Sequence, residues 1–213
     1  MSLIPNRTLT DAGNPAKPSG KAGADMLRYM NKEHSDLTIW ALDLLDYGNT
    51  ECVLDVGCGG GATLRYLNER IPDGHLTGVD YSEVSVSLSK ELNANLIANG
   101  KMEVVSGSVS DLSFKDNTFD KIVTVESFYF WPDPIESLKE VLRVLAPHGV
   151  FLLVSEIYER PDLTSHCREN IAKYSMNVPG IDEFKDMFHI AGFSDTIIHT
   201  KDDEFWIAVE GVK

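Results

Sequence analysis

Cys52-Val53-Leu54-Asp55-Val56-Gly57-Cys58-Gly59-Gly60-Gly61, followed by Ala62-Thr63-Leu64-Arg65-Tyr66-Leu67, is the stretch whose reading decides the fold. Its first five residues form an apolar run too short for a helix and bounded by glycine, which reads as a buried strand. From Ala62 the apolar residues Leu64 and Leu67 share one helical face. Between them, glycine lets the backbone turn sharply and bring bare N–H groups against a ligand. Strand, glycine turn and helix in this order form the place where α/β sheets bind nucleotides, at the carboxyl end of a strand and the amino end of a helix.

Two nucleotides compete for such a turn. Gly57-x-Gly59-x-x-Ala62 satisfies the loose dinucleotide fingerprint, so an NAD(P)-dependent oxidoreductase has to be weighed. Asp55 argues against it. A carboxylate two residues before the first glycine would repel a pyrophosphate. S-adenosylmethionine (SAM) has no phosphate and carries an ammonium and a sulfonium, both of which favour a nearby carboxylate. The bland alternative is a turn that only reverses the chain.

Composition narrows the class. The chain has 213 residues, 43% hydrophobic and 24% charged, ordinary values for a globular protein with an ample core. No apolar run is long enough to span a bilayer, and residues 1–20 lack the apolar core of a secretory signal. The three cysteines show no CxxC spacing, which points to a reducing, cytoplasmic setting and to no zinc or other metal site. A net charge of −14 repels phosphate-rich polymers, so a small molecule is expected as substrate, with no nucleic acid and no membrane as partner.

Working outward, residues 1–23 read as an arm or lid in which Pro5, Pro15 and Pro18 prevent regular structure. Ala24 to Tyr47 is helical in two clusters, with Ser35 or Asp36 as cap and Gly48-Asn49 as stop. Strands are expected at 75–80, 102–106, 119–126 and 150–155. Helices lie between them, one of them running from 84 to 99 with Ser82 as N-cap and one beginning at Pro134. This alternation predicts a doubly wound, mostly parallel sheet with helices on both faces. A helix over 181–191 and strands at 194–200 and 204–210, joined by the tight turn at 201–203, add an antiparallel C-terminal hairpin. The full sheet then has seven strands. The division expected is an arm and cap helices over 1–47 and the main domain over 48–213, together one compact domain.

Asp80, ending the second strand, can accept both ribose hydroxyls, and Tyr81 beside it can lie against an adenine. The fourth strand runs into Glu126-Ser127-Phe128-Tyr129-Phe130-Trp131-Pro132-Asp133. Aromatic rings at a strand end alternate in direction, so some face the cleft and attract cations. The competing reading is core for Phe128 and Phe130 with Tyr129 and Trp131 as cover. If an acceptor must lose a proton, the candidate bases are His34, Tyr129, Glu126, Glu156 and His166. His75, His148, His189 and His199 sit at turns or outer elements and are given no role. Cys58, at a helix amino end, could have a lowered thiol pKa, although a small loop residue lending its backbone is the plainer reading.

Asp55-x-Gly57-x-Gly59-x-Gly61 resembles motif I of class I SAM-dependent methyltransferases. Asp80, the Leu112-Ser113-Phe114 … Phe119-Asp120 segment and Arg143-Val144-Leu145-Ala146-Pro147-His148-Gly149, similar to the family's RVLKPGG turn, extend the resemblance from Cys52 to Gly149. The resemblance implies the cofactor SAM, left as S-adenosylhomocysteine (SAH) after transfer, and a small-molecule acceptor. It implies cofactor contacts from Asp55, Gly57, Cys58, Gly59, Gly61, Asp80, Tyr81 and Glu126. Where the family often has Gly-Asp-Ala after the third strand, Ser108 replaces the acid. Ser108, the Val109 amide and Asp111 are then the candidates for the adenine. A SAM-binding module without catalysis and a homodimer both stay open.

Overall fold

A computed structural model describes residues 14–213. Two helices, α1 (Gly20–Glu33) and α2 (Ser35–Leu42), precede β1 (Cys52–Val56). Then follow α3 (Ala62–Arg70), β2 (His75–Asp80), α4 (Glu83–Leu92), α5 (Ala94–Ala98), β3 (Met102–Ser106) and β4 (Phe119–Val125). A 3₁₀ turn at Phe128–Phe130 leads to α6 (Pro134–Val144), β5 (Leu145–Ser155), α7 (Ser165–Tyr174), α8 (Ile181–Ala191), β6 (Asp195–Thr200) and β7 (Ile207–Val212).

The seven strands form one sheet in the order β3-β2-β1-β4-β5-β7-β6. Strands β1 to β5 pair in parallel, and β7 runs antiparallel to both β5 and β6. The doubly wound sheet and its antiparallel end are therefore as the alternation of apolar runs predicts. Chain order reverses between β1 and β4, and at such a switch point a crevice opens beyond the carboxyl ends of the strands.

Each face of the sheet buries its own apolar layer. One layer packs Leu37, Ala41, Val53, Leu64, Leu67 and Val86 from β1 and the helices α2, α3 and α4. The other is rich in phenylalanine: Phe151 on β5 stacks on Trp131, Phe188 and Phe193, with ring centroids 6.3, 5.7 and 6.0 Å away. Arg143, in the RVL segment, donates to the carbonyls of Leu112 (2.8 Å) and Phe114 (2.9 Å) and pairs with Asp116 (2.7 Å) and Glu140 (2.7 Å). It thereby straps the 112–116 loop to α6.

Several boundaries move, each for a local reason. Helix α1 begins at Gly20, inside the stretch expected to be irregular. The part of that arm before Asn14, Pro5 included, lies outside the described residues. Helix α2 ends at Leu42, where the amides of Leu44 and Leu45 turn back to Ala41 and Leu42 and Asp43 pairs with Arg70. His34, not Ser35 or Asp36, is its N-cap, and no side chain caps it. Ser82 does cap α4, accepting from the Ser85 amide at 3.3 Å. The helix expected over 84–99 breaks at Asn93, whose amide nitrogen donates to Gly61 O (3.1 Å) and Ser89 O (3.0 Å). Strand β5 starts at Leu145 and passes an irregularity in its register before Val150, with His148 in the left-handed region (φ 64°). Strand β7 starts only at Ile207, because Glu204 N–H closes a turn onto Lys201 O.

Phe151→Ala would remove the ring at the centre of the fully buried stack. A loss of about 3–5 kcal/mol in urea unfolding is expected, with the sheet's circular dichroism retained; an effect below 1 kcal/mol would show that the stack does not carry this layer.

Candidate functional site

A cavity of about 400 Å³ opens over the carboxyl ends of β1, β2 and β4, within the range that holds small ligands. Its floor is the glycine turn. Gly57 (φ 74°) and Gly59 (φ 49°) occupy the left-handed region that favours glycine. The amides of Gly57 and Cys58 donate to Val79 O at 2.8 and 3.1 Å, and that of Gly61 to Cys58 O at 2.8 Å. The Gly59 amide donates to Asp80 Oδ2 at 3.0 Å. The turn is thus held by the protein's own acceptors and does not present the row of bare amides that its sequence suggests. At the place where a phosphate would need N–H groups it offers a carboxylate.

Asp80 also accepts from the Ser82 amide at 2.8 Å through Oδ1. Burial raises its pKa, and the two amides oppose that rise. Tyr81, 46% exposed, lines the same end of the cavity together with Ser108 and Val109. Asp111 is exposed, outside the lining, and pairs back to Ser108 through a single antiparallel bridge. Ser108 Oγ accepts from the Ser110 amide at 3.2 Å.

Asp55 differs most from its expected part. Its side chain lies beneath the turn, outside the cavity lining, 1% exposed and with Oδ2 unpaired. Burial, and then the charge of Asp80, push its carboxyl up to about 8. A neutral carboxyl under the turn is no standing negative charge. The carboxylate that faces the cavity there is Asp80. Cys58 is likewise buried, and burial with Asp55 and Asp80 raises its thiol well above the ordinary value, opposite to the lowering considered for a helix amino end. Its backbone and its packing are what it contributes.

Helix α1 is the roof. Leu27, Met30, Asn31 and His34 fall on one face and all line the cavity. Asn31 Nδ2 donates to Gly60 O at 3.0 Å. The irregular segment before α1 contributes Pro15, Ala16 and Pro18, and Pro18 O accepts from Ser82 Oγ at 2.8 Å. The polar pair Asn31 and His34 on an otherwise apolar helical stripe was the signal by which the sequence could have shown this face.

At the β4 end the aromatic run is a 3₁₀ turn, so its rings do not alternate as in a strand. Phe128 is wholly core, while Phe130 and Trp131 line the cavity. Trp131 Nε1 donates to Ser127 Oγ at 3.1 Å, and Thr124 Oγ1, 2.8 Å from Ser127 Oγ, donates to Val56 O at 2.8 Å. This network ties the end of β1 to the end of β4. Tyr129 turns inward: its hydroxyl donates to Glu126 Oε1 at 2.9 Å and accepts from the Ile157 amide at 3.2 Å. Glu126, left-handed at φ 56°, also accepts from the Glu156 amide through Oε1.

Glu126 Oε2 and Glu156 Oε2 each stand 4.0 Å from His34 Nε2. The structure therefore brings together His34, Tyr129, Glu126 and Glu156, four of the five candidate bases. His166 is exposed on α7, outside the lining, beside Asn170 at 3.3 Å. Burial lowers the pKa of His34 against the pull of Glu156 and Glu33. Burial raises Glu126 to about 7, and burial followed by the charge of Glu126 raises Glu156 to about 7. Burial raises the Tyr129 hydroxyl well above its usual range, leaving it a hydrogen-bond donor. His34, Glu126 and Glu156 also form a group whose ligand atoms lie within 4.8 Å of one another, a convergence the cysteine spacing could not reveal.

Residues 54–153 match a family model described as a methyltransferase domain. The chain is 34% identical over 120 residues to cycloartenol-C-24-methyltransferase 1 of Oryza sativa subsp. japonica, covering 54% of this chain and 34% of that protein. It is 30% identical over 165 residues to the demethylmenaquinone methyltransferase of Staphylococcus aureus, covering 66% of each. A SAM-dependent methyltransferase from Aquifex aeolicus shares the fold with a TM-score of 0.69 at 20% identity, over 89% of this chain and 97% of that one. The chain spans about a third to two thirds of the length of these curated relatives.

Asp55 makes stability depend on pH. Its carboxyl is raised from 3.8 unfolded to about 8 folded, so the proton it binds stabilises the fold below about pH 4, and that contribution is lost as pH rises through 8. Asp55→Asn should flatten the fall in unfolding free energy between these values and be the more stable protein at pH 8. Identical slopes for the two proteins in urea titrations across that range would refute the assignment.

Proposed function

We propose that this chain, which belongs to the class I SAM-dependent methyltransferases, moves a methyl group from SAM to a small-molecule acceptor by in-line displacement. The observation that carries the reading is the carboxylate of Asp80 on the Gly59 amide, at the mouth of a roofed cavity. That arrangement suits a ribose and disfavours a diphosphate. The antiparallel β7 beside β5 supports the same choice, because dinucleotide-binding sheets of the doubly wound type are parallel there.

When bound, SAM supplies an electrophilic methyl on a sulfonium. The chain's own residues then have three tasks. Asp80, Tyr81, Ser108 and Val109, on the β2 and β3 side, hold the adenosine. The glycine turn and the roof residues Leu27 and Met30 exclude water, which favours a positioned nucleophile over hydrolysis. On the β4 side, Phe130, Trp131, Glu126 and His34 bound the space for the acceptor. The fit is consistent at Gly59, where a Cβ would find its nearest neighbour, Leu27 Cδ2, 3.6 Å away and would occupy ligand space.

A cytoplasmic setting belongs to this reading through the three free thiols. Among the described residues no helix is long and apolar enough to cross a membrane.

Calorimetry with SAH tests the site. Gly59→Val should abolish binding while circular dichroism stays unchanged. Asp80→Ala should weaken it by roughly 1–3 kcal/mol, the worth of hydrogen bonds to a charged group. Normal SAH affinity in both variants, or NADH binding in place of SAH, would overturn the reading.

A further inference from the structure

We propose that Glu126 is the catalytic base of the transfer, its Oε2 taking the proton from a hydroxyl on an aromatic acceptor seated against Phe130 and Trp131. This rests on the methyltransferase reading and goes beyond it by naming the base and the nucleophile.

Of the four candidate bases that the fold brings together, Glu126 is the one placed for the part. Glu156 and Tyr129 lie outside the cavity lining. The Tyr129 hydroxyl is held between Glu126 and the Ile157 amide, and burial keeps its proton on it. His34 does line the cavity, but burial lowers its pKa and so weakens it as a base. Glu126 lines the cavity with one oxygen fixed and one free. Oε1 accepts from the Tyr129 hydroxyl at 2.9 Å and from the Glu156 amide, while among the described residues nothing donates to Oε2. Its backbone stands at φ 56°, a left-handed conformation that is unfavourable for a glutamate and that the two donors on its side chain hold in place. This strained residue adjoins the donor's seat: a Cβ on Gly57 would lie 2.6 Å from Cβ of Ser127, the next residue in the chain.

The lining also selects the nucleophile. Among the described residues neither lysine nor arginine lines the cavity, so nothing there balances an anionic acceptor. A hydroxyl brings a single donor, and one free carboxylate oxygen satisfies it; an ammonium brings three. The Phe130 and Trp131 rings offer apolar faces to an aromatic body, and Trp131 is fixed by its bond to Ser127 Oγ. The protonation chemistry agrees. Burial raises Glu126 to about 7, which makes it a stronger base than a surface carboxylate while it still ionises near neutrality. The titratable groups around it are Tyr129 in its own turn, His34 after α1 and Glu156 after β5. Glu33 at the end of α1 and Glu204 before β7 act on the last two.

The step balances with no further reactant. Oε2 takes the hydroxyl proton as the oxygen's lone pair forms the O–CH₃ bond. The C–S bond breaks, and its electrons stay on sulfur. One carboxylate charge and one sulfonium charge vanish together, which a roofed, water-poor site favours. The neutral carboxyl then returns its proton to water. Tyr129 acts through Glu126 and is a positioning residue: its hydrogen bond holds Oε1 and favours the ionised form.

The probes are phenol, which keeps its proton at neutral pH, and pentafluorophenol, which has already lost it. Methylation by the full chain at saturating SAM is followed as SAH release across neutral pH. With phenol, kcat/KM should rise as Glu126 loses its proton near pH 7 and then level off; with pentafluorophenol it should not rise. Glu126→Gln should lower kcat for phenol by roughly a hundredfold or more and flatten its pH profile. The same variant should leave pentafluorophenol, and SAH affinity in calorimetry, within about threefold. Tyr129→Phe should move the phenol midpoint to higher pH, because the lost hydrogen bond favoured the carboxylate; a merely structural tyrosine would slow the reaction without moving it. A phenol profile of the unaltered chain that does not rise, equal losses for the two probes in Glu126→Gln, or turnover of neither probe overturns the proposal. Methylation of benzylamine in place of phenol overturns it in favour of an amine. A large loss of SAH affinity in Glu126→Gln also overturns it, since Oε2 would then hold the donor's own ammonium. Failure of SAH to bind the unaltered chain would sink the methyltransferase reading instead.

Discussion

The carboxylate of Asp80 is the fastening on which the site depends. One oxygen holds the Gly59 amide and the other the Ser82 amide. The first bond shapes the turn between β1 and α3, and the second sets the entry to α4. Both loops are thereby registered to the end of a single strand. Gly57 and Cys58 reinforce this by bonding Val79, the residue before Asp80. The turn has no room to relax: a Cβ on Gly61 would lie 2.9 Å from Ser89 Cα, and one on Gly60 2.8 Å from Asn31 Cγ. Helices α4 and α1 press on the turn from these two positions.

Much of this was legible in the sequence because it rests on short-range chemistry. Periodicity finds the strands, proline and glycine find the turns, and Ser82 and Pro134 mark the helix starts they occupy. The misplacements come from individual hydrogen bonds that override a periodic preference, some of them between neighbours in the chain and one across it. Asn93 breaks a helix because its side chain is drawn to Gly61. The aromatic run coils into a 3₁₀ turn closed by the Phe130 and Trp131 amides on Ser127 O and Phe128 O, with Trp131 Nε1 on Ser127 Oγ.

The same limit explains Asp55. Reasoning from charge alone rejects a diphosphate, and the finished site supports that rejection, yet through a different acid. Two carboxylates in one apolar layer do not both ionise at ordinary pH. The more deeply buried one keeps its proton, and the one that finds amide donors faces the ligand space. Their relative burial is a property of the folded sheet and has no signature in the order of residues. His34 and Glu156 are a similar case. They are far apart in sequence and meet only because the junction of α1 and α2, where His34 sits, lies beside the residues that follow β4 and β5.

The roof has a kinetic meaning. It is latched at two points, Asn31 on Gly60 and Ser82 on Pro18, with Leu27 and Met30 sealed between them. Parting the two hydrogen bonds would free α1 and the segment before it from the turn and from the start of α4 together. Cover held by two polar bonds over an apolar stripe can shift as one piece, the usual way in which a cap governs how long a small molecule stays.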